Sequence, residues 1–357
     1  MEPIARNIIQ TLMSQNLLSR KELVDGSSVF MMGRQRNRFF VFKQLHGPSY
    51  FIKQAHEGEP GTAASVTNEA RIYTAVQSHD SLAPLRDIIP QLRHFDEASA
   101  TLTLELIKDA ENLSAIAHRH ETLPTSCAKQ MGAIAALYHR VAVDDIDHID
   151  VAFERKPHWI FRLREDPSPL DSLRARSQAS ATIIDMLLDH ADLCDLLARR
   201  KAEWQTDTLI HADFKWENFL SDPHAKGALR LLDWERADIG DAAWDVGCGL
   251  AAFVIHDMMR RPESDDRFDL TPVFERMQPF WQSYITGRAP DRGNAFFGKC
   301  ADMMVARLLV AAYEHCYGLD QPPALAKQLF HAAADLISAP MRSTLLTALD
   351  NDTRCAA

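Results

Sequence analysis

Long apolar runs, paired cysteines and an excess of positive charge are all missing from this sequence. No apolar stretch reaches the roughly 18 residues of a membrane span, so no membrane partner is expected. The opening segment MEPIARNIIQTLMSQNLLSRKE has no uninterrupted apolar core; its apolar residues recur at helical spacing. That pattern predicts an amphipathic helix of the folded body, not a signal peptide, and with it a cytoplasmic protein. The six cysteines (Cys127, Cys194, Cys248, Cys300, Cys316 and Cys355) form no CxxC pair, and the fifteen histidines show no zinc spacing. Reduced thiols in a cytosolic protein account for them. With 39 basic against 49 acidic residues the formal charge is −10, which argues against nucleic acid as a partner. Internal repeats and low-complexity tracts are absent too.

What is present divides the chain in two. At 357 residues it is too long for one small core and comfortable for two lobes. From Val29 to about Leu106 short β-like runs follow one another: SVFMMG, NRFFVFKQ, SYFIKQ and TLTLELI, each bounded by Gly, Pro, Asn or charge. One helical segment, residues 65–78, interrupts them. Beyond it the pattern is helical. SCAKQMGAIAALYHRVA places Met131, Ile134 and Leu137 on one face, residues 179–204 read as a long helix or a helical pair, and helices resume from residue 243. Between them lies a β-like island, DTLIHADFKWENFLSD and, after a turn, ALRLLDWERADIGD.

That island carries the chemistry. Phosphoryl transfer needs a carboxylate at the attacking hydroxyl, oxygen ligands for Mg²⁺ and positive charge over the phosphates. Asp213 and Asn218, five residues apart on a short loop, can present a carboxylate and an amide oxygen to one space, and Asp233 adds an anionic oxygen for a hard cation. In the first half, Glu69, Tyr73 and Val76 fall at i, i+4 and i+7, so Glu69 shares the inward face of its helix. A buried carboxylate needs a partner, and Lys53 on the adjoining strand SYFIKQ is the economical one. Taken alone, the pair is equally an ordinary structural ion pair.

HADFKWEN followed by LLDWE resembles the catalytic and metal-binding loops of the protein-kinase-like superfamily, specifically its aminoglycoside phosphotransferase (APH) branch; GDAAWDVG, residues 240–247, extends the match. The resemblance implies an α+β, bilobal protein-kinase-like fold. Its N-lobe (1–107) would be a small antiparallel β-sheet with one helix, and its C-lobe (108–357) larger and mainly helical, with nucleotide in the cleft. It implies ATP or GTP and Mg²⁺ as cofactors. Asp213 would orient the acceptor hydroxyl and take its proton, His211 would support the loop, and Asn218 and Asp233 would hold the metal. Glu69 would hold Lys53 against the phosphates, and Asp241 and Asp245 would brace the loop. Gly33 and Asn37, in MMGRQRNRFF, stand where the family has its phosphate-covering turn, although a plain hairpin explains them equally; Arg34 and Arg36 would add charge or be solvated. The carbonyl of Glu105 and the N–H of Ile107 would form the adenine hinge.

Two departures matter. Ala212 replaces the usual glycine, and Lys215 stands where many antibiotic kinases carry histidine and Ser/Thr protein kinases carry lysine. Three functions therefore stay open: a kinase of a hydroxyl-bearing small molecule, a kinase of Ser/Thr in a peptide such as a lanthipeptide precursor, and an idle nucleotide-binding scaffold. The run RKPHWIFRLRED, residues 155–166, reads as a helix start packing its aromatic residues, against a nucleic-acid patch. The turn with Glu263, Asp265 and Asp266 is a solvated loop or, failing that, a first contact for an amine-bearing substrate.

Overall fold

A computed structural model describes residues 3–25, 27–34, 37–56, 58–163, 167–260, 269–288 and 294–350. Arg36, Cys355 and the turn with Glu263, Asp265 and Asp266 lie outside the described residues. Among the described residues ten strands are numbered in chain order: β1 (Ser28–Arg34), β2 (Arg38–Gln44), β3 (Tyr50–Gln54), β4 (Leu92–Asp96), β5 (Thr101–Glu105), β6 (Glu111–Asn112), β7 (Thr208–Ile210), β8 (Phe219–Asp222), β9 (Ala228–Leu231) and β10 (Asp238–Gly240). The chain forms two compact units. One comprises Met1–Asn112, Asp144–Ala152 and Asn218–Ala237, and the other Leu113–Val143, Phe153–Glu217 and Asp238–Ala357. The class is α+β. No helix among the described residues is long and apolar enough to cross a membrane.

The first unit is built on an antiparallel sheet of order β1-β2-β3-β5-β4. Because side chains alternate across a strand, β2 and β3 sort their residues onto two faces. Phe40, Phe42, Tyr50 and Ile52 pack on one face against Ile8, Ile9, Leu12 and Leu18 of the N-terminal segment, whose helix Pro3–Ser14 is amphipathic. Each such buried side chain contributes roughly 1.5–3 kcal/mol. Phe39, Phe51 and Lys53 occupy the other face, with Leu104 of β5 paired to Phe51. The helix Thr62–Ser78 starts after Gly61, whose φ of 79° only glycine adopts cheaply, and it buries Val66, Glu69, Tyr73 and Val76. β4 has no counterpart among the strand-like runs of the sequence: at the sheet edge its residues LRHFD are half-buried apart from the exposed Arg93 and do not alternate. β6, β8 and β9 form a separate three-stranded sheet.

In the second unit β7 and β10 pair antiparallel, Ile210 opposite Asp238 and Thr208 opposite Gly240, so the HADF segment and Asp241 leave opposite ends of this two-stranded ladder. The helix Ala242–Met259 is buried over most of its length, and its carboxylate cap is Asp241, which accepts from the Ala243 N–H at 3.1 Å. It packs on the helix Asn294–Glu314. Residues 179–204 are a helical pair, Gln178–Asp189 and Ala191–Ala202, joined at His190. The basic-aromatic run holds a short 3₁₀ turn, Trp159–Arg162, rather than an α-helix start; Ile160 and Phe161 are buried and His158 stacks on Trp244 at 4.8 Å.

Close helix packing explains two glycines. A Cβ on Gly247 would lie 2.7 Å from the Met304 nitrogen, and one on Gly132 would strike the Phe280 carbonyl oxygen. Backbone cannot swing aside as a side chain can. Gly247→Ala should therefore lower unfolding stability by about 1–3 kcal/mol in urea titration, the range for overpacking.

Candidate functional site

The first unit contains a cavity of about 330 Å³. Phe51, Pro90, Leu104, Ile107, Leu220 and Leu232 give it apolar walls, and Glu105 and Leu106 complete that end. Asn37, Lys53, Glu69, Asn218, Asp233 and Glu235 supply its polar side. An apolar cavity wall beside a charged cluster suits a ligand with an aromatic ring and a highly charged tail.

Lys53 organises the cluster. Its Nζ lies 2.7 Å from Glu69, 2.5 Å from Asp233 and 2.8 Å from Glu235. Burial by itself would lower the Lys53 pKa, but Glu69, Asp233 and Glu235 together outweigh it and raise it. Burial pushes the Glu69 carboxyl up; Lys53 pulls it back, Asp233 and Glu235 push it further, and the balance is upward. Asp233 reaches the cluster from a left-handed backbone, φ 64° and ψ 53°, which aspartate tolerates better than most residues. Glu235 also accepts from Asn37 Nδ2 at 3.0 Å. No role was expected of Glu235 from the sequence. The available signal was its place two residues after Asp233, both flanking the buried Trp234.

Three carboxylates around one ammonium leave an excess of negative charge. Oxygens of Glu69, Asp233 and Glu235 lie within 4.8 Å of one another. Asn37 is buried, and its Oδ1 has no hydrogen-bond partner among the described residues. An all-oxygen donor set with surplus anionic charge fits a hard divalent cation. Gly33 is placed differently from Asn37: it lies in β1 beneath the Phe39 ring, with Phe39 Cε2 2.6 Å from where a Cβ would be.

In the second unit the HADFK loop is held by one carboxylate. Asp245, fully buried, accepts from the His211 N–H at 2.6 Å, the Ala212 N–H at 2.9 Å and the Tyr138 hydroxyl at 2.7 Å, with His139 Nε2 at 3.4 Å. Burial alone would raise its pKa, yet the His139 and Tyr138 contacts and the nearby His211 outweigh that and hold it below the ordinary carboxylate value. The buried His211 accepts the Asp213 N–H at Nδ1, 3.3 Å. Asp213 pairs with Lys215 at 2.7 Å, and this pairing raises the Lys215 pKa against the opposing effect of burial. Asp241 accepts from the Gln205 and Ala243 N–H groups and pairs with Lys299.

The model of the phosphotransferase enzyme family (APH) matches residues 32–280 of the chain, a span that includes Lys53, Glu69, Asp213, Asn218 and Asp233. The chain belongs to this family. No curated protein matches the sequence. Among solved structures, a choline/ethanolamine kinase family protein from Mesorhizobium loti is similar at TM-score 0.57 and 16% identity, over 95% of this chain and 98% of that one. LicA, solved with AMP, is similar at TM-score 0.56 and 16% identity, over 96% and 100%. A macrolide 2′-phosphotransferase from Brachybacterium faecium is similar at TM-score 0.51 and 15% identity, over 94% and 98%. The fold is the protein-kinase-like fold, and the chain is a phosphotransferase.

Within an APH phosphotransferase the alanine at 212 has a measurable cost. Its φ is 61°, in the left-handed region that disfavours a Cβ by roughly 1–2 kcal/mol. Ala212→Gly should raise stability by up to about 1 kcal/mol, after the extra chain entropy of glycine is subtracted, read as a rise in melting temperature. The His211 and Ala212 N–H groups bond different oxygens of Asp245, so Asp245→Asn turns an NH₂ toward one of them whichever way the amide is placed, and it should cost about 1–3 kcal/mol at neutral pH. Since the folded pKa of Asp245 is depressed, its stabilisation is present above the ordinary carboxylate range and lost as pH falls through the folded value. The gap between variant and parent should accordingly narrow below about pH 4 in urea titrations across pH.

Proposed function

We propose that the chain transfers the γ-phosphoryl group of ATP, or of GTP, to a hydroxyl of a small molecule. The observation that carries this reading is the buried Lys53 with Glu69, Asp233 and Glu235 within 2.8 Å beside an apolar slot. Phe51, Leu104 and Leu232 are suited to sandwich a base, with Glu105 and Ile107 offering backbone groups to its edge. LicA, whose structure holds AMP, supports an adenine nucleotide.

Asn218 and Asp233 would hold Mg²⁺, which when bound supplies charge neutralisation across the phosphates. Lys53 holds its ammonium for the phosphate oxygens, and Glu69 fixes its direction. Asp213 orients the acceptor hydroxyl. As the acceptor oxygen forms its bond to the γ-phosphorus, the bond to the bridging oxygen breaks, the nucleoside diphosphate leaves, and the proton passes to Asp213. His211 and Asp245 keep the loop in shape for this. Lys215, paired with Asp213, can contact the group in transfer.

A small-molecule acceptor is favoured over a Ser/Thr peptide because the neighbours are named as choline, ethanolamine and macrolide kinases. An idle scaffold is disfavoured because Lys53, Glu69, Asp213, Asn218 and Asp233 are all retained. Asp213→Asn keeps the shape of the side chain but removes the base. Nucleotide affinity measured by calorimetry with magnesium should stay within a few-fold of the parent, and transfer should fall by about 10²–10⁴-fold. Equal turnover by variant and parent would refute the assignment.

A further inference from the structure

The second unit holds a cavity of its own, about 330 Å³, that the roles assigned so far do not use. Lys215 forms part of its wall, two residues from Asp213 and in contact with it. Its other charged lining groups are Glu217, Arg307 and Glu314. Two histidines also line it. His256 has its pKa lowered by burial and then by Arg260, and that of His315 is lowered by burial, so both are neutral imidazoles at pH 7. The charged lining is thus Lys215 and Arg307 against Glu217 and Glu314, a sum of zero.

That balance says what the cavity selects. A pocket for a simple ammonium would carry acids and aromatic faces without cations, because each cation on the wall repels the ligand. Arg307, on the helix Asn294–Glu314, has a side chain only 12% exposed and pairs with Glu314 at 3.0 Å. That contact uses one of the five N–H donors of a planar fork suited to carboxylate or phosphate. Glu314 is 47% exposed in its side chain, and Glu217, also exposed, accepts the Ser114 hydroxyl at 2.8 Å. Two further polar atoms stand in this wall. Trp216 Nε1 and His256 Nε2 are buried without a hydrogen-bond partner among the described residues, and their rings lie 4.9 Å apart. The charge of Arg307 acts on Lys215 and that of Asp213 on Arg307, so the groups share one electrostatic neighbourhood.

We propose that this cavity receives the acceptor. On this assignment, which rests on the phosphotransferase role of Asp213, the acceptor is a small zwitterion bearing a hydroxyl, its anionic group on Arg307 and its ammonium on Glu217 and Glu314. In the free protein Arg307 and Glu314 satisfy one another, and the acceptor separates them by offering each a partner of opposite sign. Lys215, paired with Asp213 and in the wall of the same cavity, adds to the rejection of acceptors that are only cationic.

The test is a rate comparison with saturating magnesium and ATP. The acceptors are L-serine, L-threonine and L-homoserine as zwitterions, choline and ethanolamine as cations, and D-glycerate as an anion. At least one zwitterion should exceed every single-charge acceptor in kcat/KM by about 100-fold, the scale set by a charge pair at a desolvated site. Arg307→Gln should raise KM for that zwitterion by about 100-fold while nucleotide affinity holds. Arg307→Lys, which keeps the charge and guards against a folding defect, should recover part of the loss at an unchanged melting temperature. Choline or ethanolamine matching the zwitterions overturns the acceptor assignment, as does an unchanged KM in Arg307→Gln or the absence of transfer to any zwitterion. The kinase reading fails on a separate result, Asp213→Asn turning over as fast as the parent.

Discussion

The buried ammonium of Lys53 is the constraint around which the first unit is arranged. A cation taken out of water must be matched by anions at short range, and here three carboxylates supply more charge than it can neutralise. They come from two places in the chain: Glu69 from a helix, and Asp233 and Glu235 from the turn after β9. The sheet keeps the cluster together by alternation, since Lys53 and Phe51 must share a face once Tyr50 and Ile52 are committed to the N-terminal helix. A one-residue slip of β3 would bury the charge in the aliphatic layer and expose the aromatic ring.

The second unit is organised by a carboxylate of the opposite kind. Asp245 pairs with backbone and hydroxyl donors, and what it fixes is shape. Its two shortest backbone contacts fall on consecutive residues, His211 and Ala212, so the chain is held where it turns toward Asp213. A carboxylate that accepts from two successive peptide groups compensates for the left-handed strain at Ala212, which explains how a residue other than glycine is accommodated there.

Much of the architecture was legible in the residues because it follows periodicity. Strands with alternating or wholly apolar texture stood out. β4, whose half-buried residues show no alternation, did not. Lys53 and Glu69 could be paired from spacing, since a carboxylate on an inward helix face demands a cation. Glu235 could not, because a three-residue 3₁₀ turn gives no period from which to read the direction of a side chain. Nor could its bond to Asn37, 198 residues away. Arg307 and Glu314 were hidden for a further reason: seven residues apart on a long helix, they look like an ordinary surface pair until a cavity is found beside them. Gly33 and Asn37 read as one motif, yet one lies under an aromatic ring and the other lines a cavity.

The position of Asp245 has one more consequence. The carboxylate that shapes the HADFK loop stands on Ala242–Met259, the helix whose Gly247 lies against Met303 and Met304 with no room to spare. Displacing that helix would release the carboxylate's grip, and the helix is buried over most of its length. The shape of the loop is thereby coupled to the packing of a helix in the interior of its unit, so heat that unseats the helix also releases the loop.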